Sequence, residues 1–253
     1  MLMKSPLGTP INRAHPLARG LVGCWLMNEG AGSKIYDLSG NVNTGTFGNE
    51  TYWTPGRNGP AIGFDGVNDY ASMGDVTFLD GLTTASWSWW MKVITPPTLE
   101  TSVFRKDLSW IPLQFIEAGT LWRSIVWTSS GRLTWEHDVT ITTAEWTYLT
   151  LTYDGANVRL YKNGVLDKGP QALTGTLNNS ANPLVLGSTG SAEPFNGLID
   201  DVRTYNRALS AQEAQQLYLN PYAMFEQYPV WRDYVAAAVG NRRRRLLLTR
   251  RAA

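Results

Sequence analysis

The run Trp146-Thr147-Tyr148-Leu149-Thr150-Leu151-Thr152-Tyr153, followed by Asp154-Gly155, then Val158-Arg159-Leu160-Tyr161-Lys162 and Asn163-Gly164, decides the fold class. It reads as a strand, a tight turn, a second strand and a second turn. The Asp-Gly and Asn-Gly pairs supply the positive-φ positions that hairpin turns require. Along the first strand Trp146, Tyr148 and Thr150 alternate with Thr147, Leu149 and Leu151. Successive side chains on a strand point to opposite faces, so both faces carry bulk. Such a strand is central in its sheet or curves beneath a second one.

Runs of the same texture extend in both directions: 21–26, 61–64, 70–73, 86–93, 102–106, 113–116, 121–126, 133–136, 184–186 and 198–205. Asp65-Gly66 and Asn196-Gly197 add turn signals between them. With 24 Gly, 11 Trp and 11 Tyr, the composition also favours strands joined by tight turns over a helical bundle. Evenly spaced short strands without intervening helices predict an all-β antiparallel sandwich or barrel. One helix is signalled near the end. Ser210-x-x-Glu213 is a capping box, Ala211, Ala214, Leu217 and Tyr218 follow at helical spacing, and Asn220-Pro221 stops it. A weaker helical pattern runs over 230–239 and stops at Gly240. The 253 residues divide into an extended, Pro- and Gly-rich N-terminal arm (1–20), a β-sandwich (21–219) and a C-terminal segment (220–253).

Composition narrows the chemistry. A lone cysteine, Cys24, rules out an intramolecular disulfide and a cysteine-based zinc site, and its apolar strand makes it a small buried hydrophobe. Two histidines, His15 and His137, leave little for His-rich metal chemistry, and His137 is expected on a surface hairpin. No apolar run approaches the roughly 18 residues of a membrane span, and the first residues carry no secretory pattern. There is no Gly-x-Ser-x-Gly. A glycosidase needs two carboxylates converging roughly 5–10 Å apart, and no strand carries such a pair. Asp200 and Asp201 are adjacent and are therefore expected on opposite faces. The sequence thus points away from an enzyme.

Net charge is +1, but 240–253 holds six arginines and no acid, so the rest of the chain carries −5. An acidic body opposes nucleic-acid contact. Within 220–253, Tyr222, Met224, Phe225, Tyr228 and Trp231 crowd a short stretch. Left exposed, they would promote aggregation, and intermolecular packing is expected of them. The run Arg242, Arg243, Arg244, Arg245 is then expected to meet acidic groups on a partner.

Seven segments, in order, resemble the laminin-G-like, concanavalin A-like jelly-roll family. They are Cys24-Trp25-Leu26-Met27-Asn28-Glu29-Gly30-x-Gly32, the turn Asp37 to Gly45, Gly63-Phe64-Asp65-Gly66-x-x-Asp69-Tyr70, Trp87 to Met91, the hairpin from Trp146, Asn196-Gly197-Leu198-Ile199-Asp200-Asp201-Val202-Arg203, and Tyr205 to Ser210. The resemblance covers about residues 20–219 and implies two packed antiparallel sheets. The segment Leu217 to Phe225 with its basic sequel is similar to a C-terminal extension on laminin-G-like proteins of tailed bacteriophages.

The turn Asp37-Leu38-Ser39-Gly40-Asn41-Val42-Asn43 is rich in the oxygen donors that hard cations prefer. The resemblance implies one structural calcium on Asp37, Asn41, Asn43 and Asp200, although Thr44 stands where the family often has an acid. The other reading is that Asp37 and Asn43 cap turns through backbone N–H groups. For glycans, Trp53, Trp110, Trp122, Trp127 and Trp135 are candidate platforms, whereas Trp25, Trp87, Trp89 and Trp146 alternate within strands as packing residues. Trp110, Trp122, Trp127 and Trp135 cluster in sequence with Arg105, Lys106, Arg123 and Arg132, which suits either a sugar or a protein surface.

Together these features predict a non-enzymatic virion structural protein, made in a host cytoplasm. It would serve as capsid decoration, head fibre or tail component, as a homo-oligomer in contact with other virion proteins. The alternative is a free carbohydrate-binding lectin module, calcium-dependent in one version.

Overall fold

A computed structural model of the chain describes residues 3–96, 100–107, 109–117, 121–137, 141–187 and 194–225. Its strands are β1 (Leu21–Trp25), β2 (Lys34–Ile35), β3 (Gly45–Gly48), β4 (Tyr52–Pro55), β5 (Pro60–Asp65), β6 (Tyr70–Ser72), β7 (Ala85–Val93), β8 (Thr101–Lys106), β9 (Trp110–Glu117), β10 (Leu121–Thr128), β11 (Gly131–His137), β12 (Thr147–Tyr153), β13 (Asn157–Lys162), β14 (Val165–Ala172), β15 (Leu184–Gly187) and β16 (Asn196–Tyr205). They form two antiparallel sheets stacked as a jelly-roll sandwich. The first runs β14-β13-β12-β7-β16-β5-β4, with β1 also paired to β16. The second runs β11-β10-β9-β8-β15-β6-β3-β2.

The deciding hairpin forms as read. β12 pairs with β13 from Leu149↔Lys162 to Tyr153↔Val158. Asp154 Oδ1 accepts hydrogen bonds from the amides of Ala156 and Asn157, and Asn163 sits at φ 50°. On its other edge β12 pairs with β7, and β7 pairs with β16, so the expected central position holds. Trp87, Trp89, Met91, Leu149 and Leu151 face the main core between the sheets. The short strands β2, β3 and β4 and the exposed edge strand β14 carry no strong apolar pattern and were not expected.

The opposite face of the first sheet is buried too, under a layer made by the two ends of the chain. Trp90, Tyr148, Tyr205 and Cys24 pack there with Leu17, Leu209, Leu217, Tyr222, Met224 and Phe225. The N-terminal arm is therefore a strap over this face, with a 3₁₀ turn at Pro16–Ala18. It is tied to the C-terminal end by the Asn12 amide on Met224 O at 2.8 Å. Tyr222 and Phe225, expected to pack on another molecule, are 4% and 2% exposed within this chain. The physical reason is the aromatic outer face itself. Leaving Trp90, Tyr148 and Tyr205 in water would forfeit on the order of 1.5–3 kcal/mol each. Tyr228, Trp231, the pattern over 230–239 and Arg242, Arg243, Arg244 and Arg245 lie outside the described residues.

α1 (Ala211–Leu219) starts on the predicted box: Ser210 Oγ accepts from the Glu213 amide, and Glu213 returns to the Ser210 amide. Ala214 and Leu217 turn inward. In β16 the register shifts between Asp200 and Arg203, and Asp201 takes φ 49°. This β-bulge adds a residue and breaks the alternation, so the two acids do not separate to opposite faces as expected. The Lys4 charge acts on both, and both act on the Tyr222 hydroxyl.

Candidate functional site

The hairpin of β4 and β5, at the edge of the first sheet, is pinned from below. Its turn closes with the Gly56 amide on Gly59 O at 2.6 Å. A Cβ at Gly56 would meet Ala61 Cβ at 2.6 Å and Asp200 Oδ2 at 2.8 Å, so only glycine lets the turn approach β16 this closely. The Arg57 amide donates to Asp200 Oδ2, and the Arg57 guanidinium lies 5.2 Å from the Trp90 ring centre. The Asn58 amide group reaches the Tyr222 hydroxyl, and Asn58 O accepts from the Lys4 amide.

Lys4 is the plug of this arrangement. Its buried ammonium donates to Met27 O at 2.8 Å and to Pro60 O. It also stands 2.5 Å from Asp200 Oδ1, with the two side chains 4% and 1% exposed. Burial pushes the Asp200 carboxyl up to about 7, with Lys4 pulling against that rise. Arg203, fully buried, sits 2.8 Å from Asp201 Oδ1. Burial alone would lower the Arg203 pKa; Asp201 beside it, together with Cys24, Tyr148 and Tyr205, more than offsets this and raises it. Nothing about Lys4 in the sequence, one of three cations in a Pro- and Gly-rich arm with Arg13 and Arg19, marks it for this role.

Above the plug lies an open groove of about 520 Å3, lined by Gly30, Trp53, Thr54, Pro55, Gly56, Gly59 and Pro60. Trp53 is half-buried. Its Nε1–H donates to Gly32 O at 2.7 Å and its ring packs 5.2 Å from that of Phe47, which fixes the indole plane. Beside Gly30, Glu29 Oε1 accepts from the Tyr36 amide, and burial raises the pKa of this carboxyl. A fixed indole between prolines, with Thr54 beside it, has the features of a sugar platform: an apolar face for C–H groups and a polar residue next to it.

The laminin G-like model of the concanavalin A-like lectin/glucanases superfamily matches residues 65–215. The chain belongs to this superfamily. No curated protein matches the laminin G-like chain significantly. Solved structures carry the same fold. Domain 4 of AbnA, an extracellular arabinanase from Geobacillus stearothermophilus, in complex with arabinotriose, has a TM-score of 0.61 at 24% identity, covering 78% of this chain and 98% of that one. The binding domain of Paraclostridial Mosquitocidal Protein 1 has a TM-score of 0.66 at 18% identity, covering 82% and 53%. The ligand-binding domain of botulinum neurotoxin serotype D, in complex with N-acetylneuraminic acid, has a TM-score of 0.63 at 16% identity, covering 81% and 52%. The chain thus spans about half the length of the toxin binding domains. At these identities the likeness concerns the fold.

Within this laminin G-like sandwich the other expected sites fare unevenly. Asp37, Asn41 and Asn43 do share one loop, but Asp37 is spent on N–H and O–H donors. Its Oδ1 accepts from the Cys24 and Ser39 amides, and its Oδ2 from Ser39 Oγ and from the amide and side chain of Asn43. Asn41 Nδ2 donates to Val22 O. Asp200 makes none of these contacts, since its oxygens take the Lys4 ammonium and the Arg57 amide. Donors and an ammonium around these carboxylates do not fit a calcium ion held by the four residues together. Among the described residues no group of three His, Cys, Asp or Glu is placed to hold a metal.

The tryptophan cluster divides. Trp110 and Trp122 are 0% and 1% exposed in the main core and are not ligand platforms. They fall on the inward positions of β9 and β10, a parity that loop-like neighbours obscured. Trp135 is half-buried against the same core. Trp127 points outward, with the Arg132 guanidinium 5.6 Å from its ring centre. Arg123 pairs with Gln114 Oε1 and with Glu100. His137, expected at the surface, is buried, with Nε2 3.1 Å from Ser124 Oγ. Ser124 Oγ in turn donates to Pro112 O at 2.7 Å. Both side chains are buried, Ser124 at 0% and His137 at 4% exposure, which keeps the pair away from a substrate.

Proposed function

We propose that the chain is a non-enzymatic carbohydrate-binding module that holds an oligosaccharide in the groove at Trp53. The observation that carries this reading is the indole plane of Trp53, locked by Gly32 O and Phe47 along the wall of an open groove. Sugars stack their C–H faces on such rings. The arabinotriose complex of AbnA domain 4 supports the reading by fold. The acids nearest the groove floor, Asp200 and Asp201, are buried in ion pairs. They are not set across the groove as an acid and a nucleophile, which favours binding over hydrolysis. Isothermal titration of the full chain with an oligosaccharide panel tests it: Trp53→Ala should abolish heat of binding that Trp127→Ala retains. Binding that survives Trp53→Ala and is lost in Trp127→Ala contradicts it.

A second, compatible reading is that the module is displayed on a phage particle as a virion structural protein, held by its ends. It is favoured by the meeting of the two ends on one face, where Asn58 bonds both Lys4 and Tyr222. The basic sequel to residue 225 would contact acidic groups of neighbouring subunits. Mass spectrometry of purified particles tests it, since absence of the chain rules the virion role out.

A further inference from the structure

Granting the groove as the glycan site, we propose that it selects an uncharged oligosaccharide and discriminates against acidic sugars. The two sugar complexes among the fold relatives pose the choice: arabinotriose is neutral, whereas N-acetylneuraminic acid carries a carboxylate. The groove of this chain answers through its charges. None of the described residues lining it is ionisable. A sugar carboxylate leaving water needs a charge-assisted partner, an arginine or lysine presented to the ligand.

The nearest cations are committed elsewhere. The Lys4 stem runs under Gly59, 3.3 Å from where a Cβ there would sit. Its ammonium, however, points away into Met27 O, Pro60 O and Asp200. Turning it toward a ligand would leave the Asp200 carboxylate buried and unpaired, at a cost that a single surface contact does not offset. Arg57 lies in the turn between Gly56 and Gly59, yet its guanidinium is stacked on Trp90 on the outer face of the sheet. Beside the groove wall stands an acid. Glu29 precedes Gly30, and its Oε2 is buried without a hydrogen-bond partner. A second carboxylate brought close to it is opposed whenever Glu29 is ionised.

Neutral sugars face no such opposition. Their C–H faces take the indole, and their hydroxyls keep or exchange water without burying a charge. Binding of this kind is insensitive to salt, because no ion pair forms.

The experiment is titration calorimetry on the full chain at pH 7 and two ionic strengths. The ligands are arabinotriose, xylotriose and cellotriose as neutral probes, with trigalacturonate and sialyllactose as acidic ones. The expected result is Trp53-dependent binding of at least one neutral trisaccharide, salt-independent and at least tenfold tighter than either acidic probe. Glu29→Gln should narrow that gap by improving the acidic probes, and Trp53→Phe, which keeps a ring against Phe47, should retain part of the neutral affinity. If an acidic probe binds as tightly as the neutral ones and is lost in Trp53→Ala, the groove stands as the site and the charge selection falls. If no probe shows Trp53-dependent binding, the glycan reading of the groove falls and the selection falls with it.

Discussion

Lys4 and Asp200 meet at 2.5 Å inside the protein, one from the first residues of the chain and the other from its last strand. The pair ties the N-terminal strap to β16 and at the same time underlies the groove at Pro60. It links the fold to the candidate site because Lys4 holds Pro60 and lies against Gly59, two residues that line the groove.

Breaking this pair by one partner leaves a buried, uncompensated charge, which costs about 3–5 kcal/mol. Lys4→Met should therefore lower the urea midpoint markedly at pH 7. The double variant Lys4→Met with Asp200→Leu removes both charges and should recover much of the loss. A double variant as unstable as Lys4→Met alone would show that strap packing, and not the charge pair, sets the effect.

The pH response follows from the Asp200 carboxyl, raised by burial from 3.8 to about 7 against the pull of Lys4. A folded-state pKa above the unfolded one favours the protonated fold. Its contribution is complete below about pH 4 and is lost as pH rises through 7. Asp154 and Glu213 are shifted the other way: burial raises each, but the arginine beside it (Arg159, Arg207) and nearby backbone amides together outweigh burial, so their contribution to stability is lost as pH falls. The separable quantity is thus the difference between wild type and Asp200→Asn. Across pH 4–7 the melting temperature of wild type should fall relative to that of the variant. A constant difference would contradict the assignment.

The second core sets where the chain can be cut. Ending it at Phe225 keeps Tyr222, Met224 and Phe225 over Trp90 and Tyr148. Ending it at Leu219 strips the buried stretch 221–225, in which Tyr222, Met224 and Phe225 are each worth on the order of 1.5–3 kcal/mol. The first version should melt close to the full chain, and the second should melt far lower or aggregate. Light scattering on the full chain and the version ending at Phe225 then reports what 226–253 does for assembly, free of unfolding.

Cys24 gives a built-in reporter of strap opening. It is buried in the second core, and burial pushes its thiol up to about 12. A buried, protonated thiol is a poor nucleophile. Native protein should resist a disulfide reagent at pH 8, and Lys4→Met should accelerate labelling at least tenfold. Rapid labelling of the native wild type would contradict the seated strap.

Much of this was legible in the residues. The hairpin from Trp146, the capping box at Ser210 and the glycine-bearing turns each follow local rules, and the order of motifs carried the sandwich. The misses share a cause. Trp110, Trp122 and Tyr222 were misplaced because composition gives clustering but not which face a side chain takes. Asp200 and Asp201 were assigned opposite faces because one bulge residue resets the parity of β16. The tie between Lys4 and Asp200 joins residues far apart in the sequence, and neither residue carries a local signal. Trp53 was readable as a candidate platform, but its groove needs Gly30, Gly56 and Gly59 brought together by the β4–β5 turn.

The most direct test of the central claim is where a sugar touches the protein. In a 15N-resolved titration of the full chain with arabinotriose, the Trp53 indole N–H and the amides of Gly30, Gly56 and Gly59 should shift together and saturate. The Trp127 indole should stay in place. Saturable shifts at Trp127 and Arg132 with a silent Trp53 would place binding on the other sheet and contradict the account.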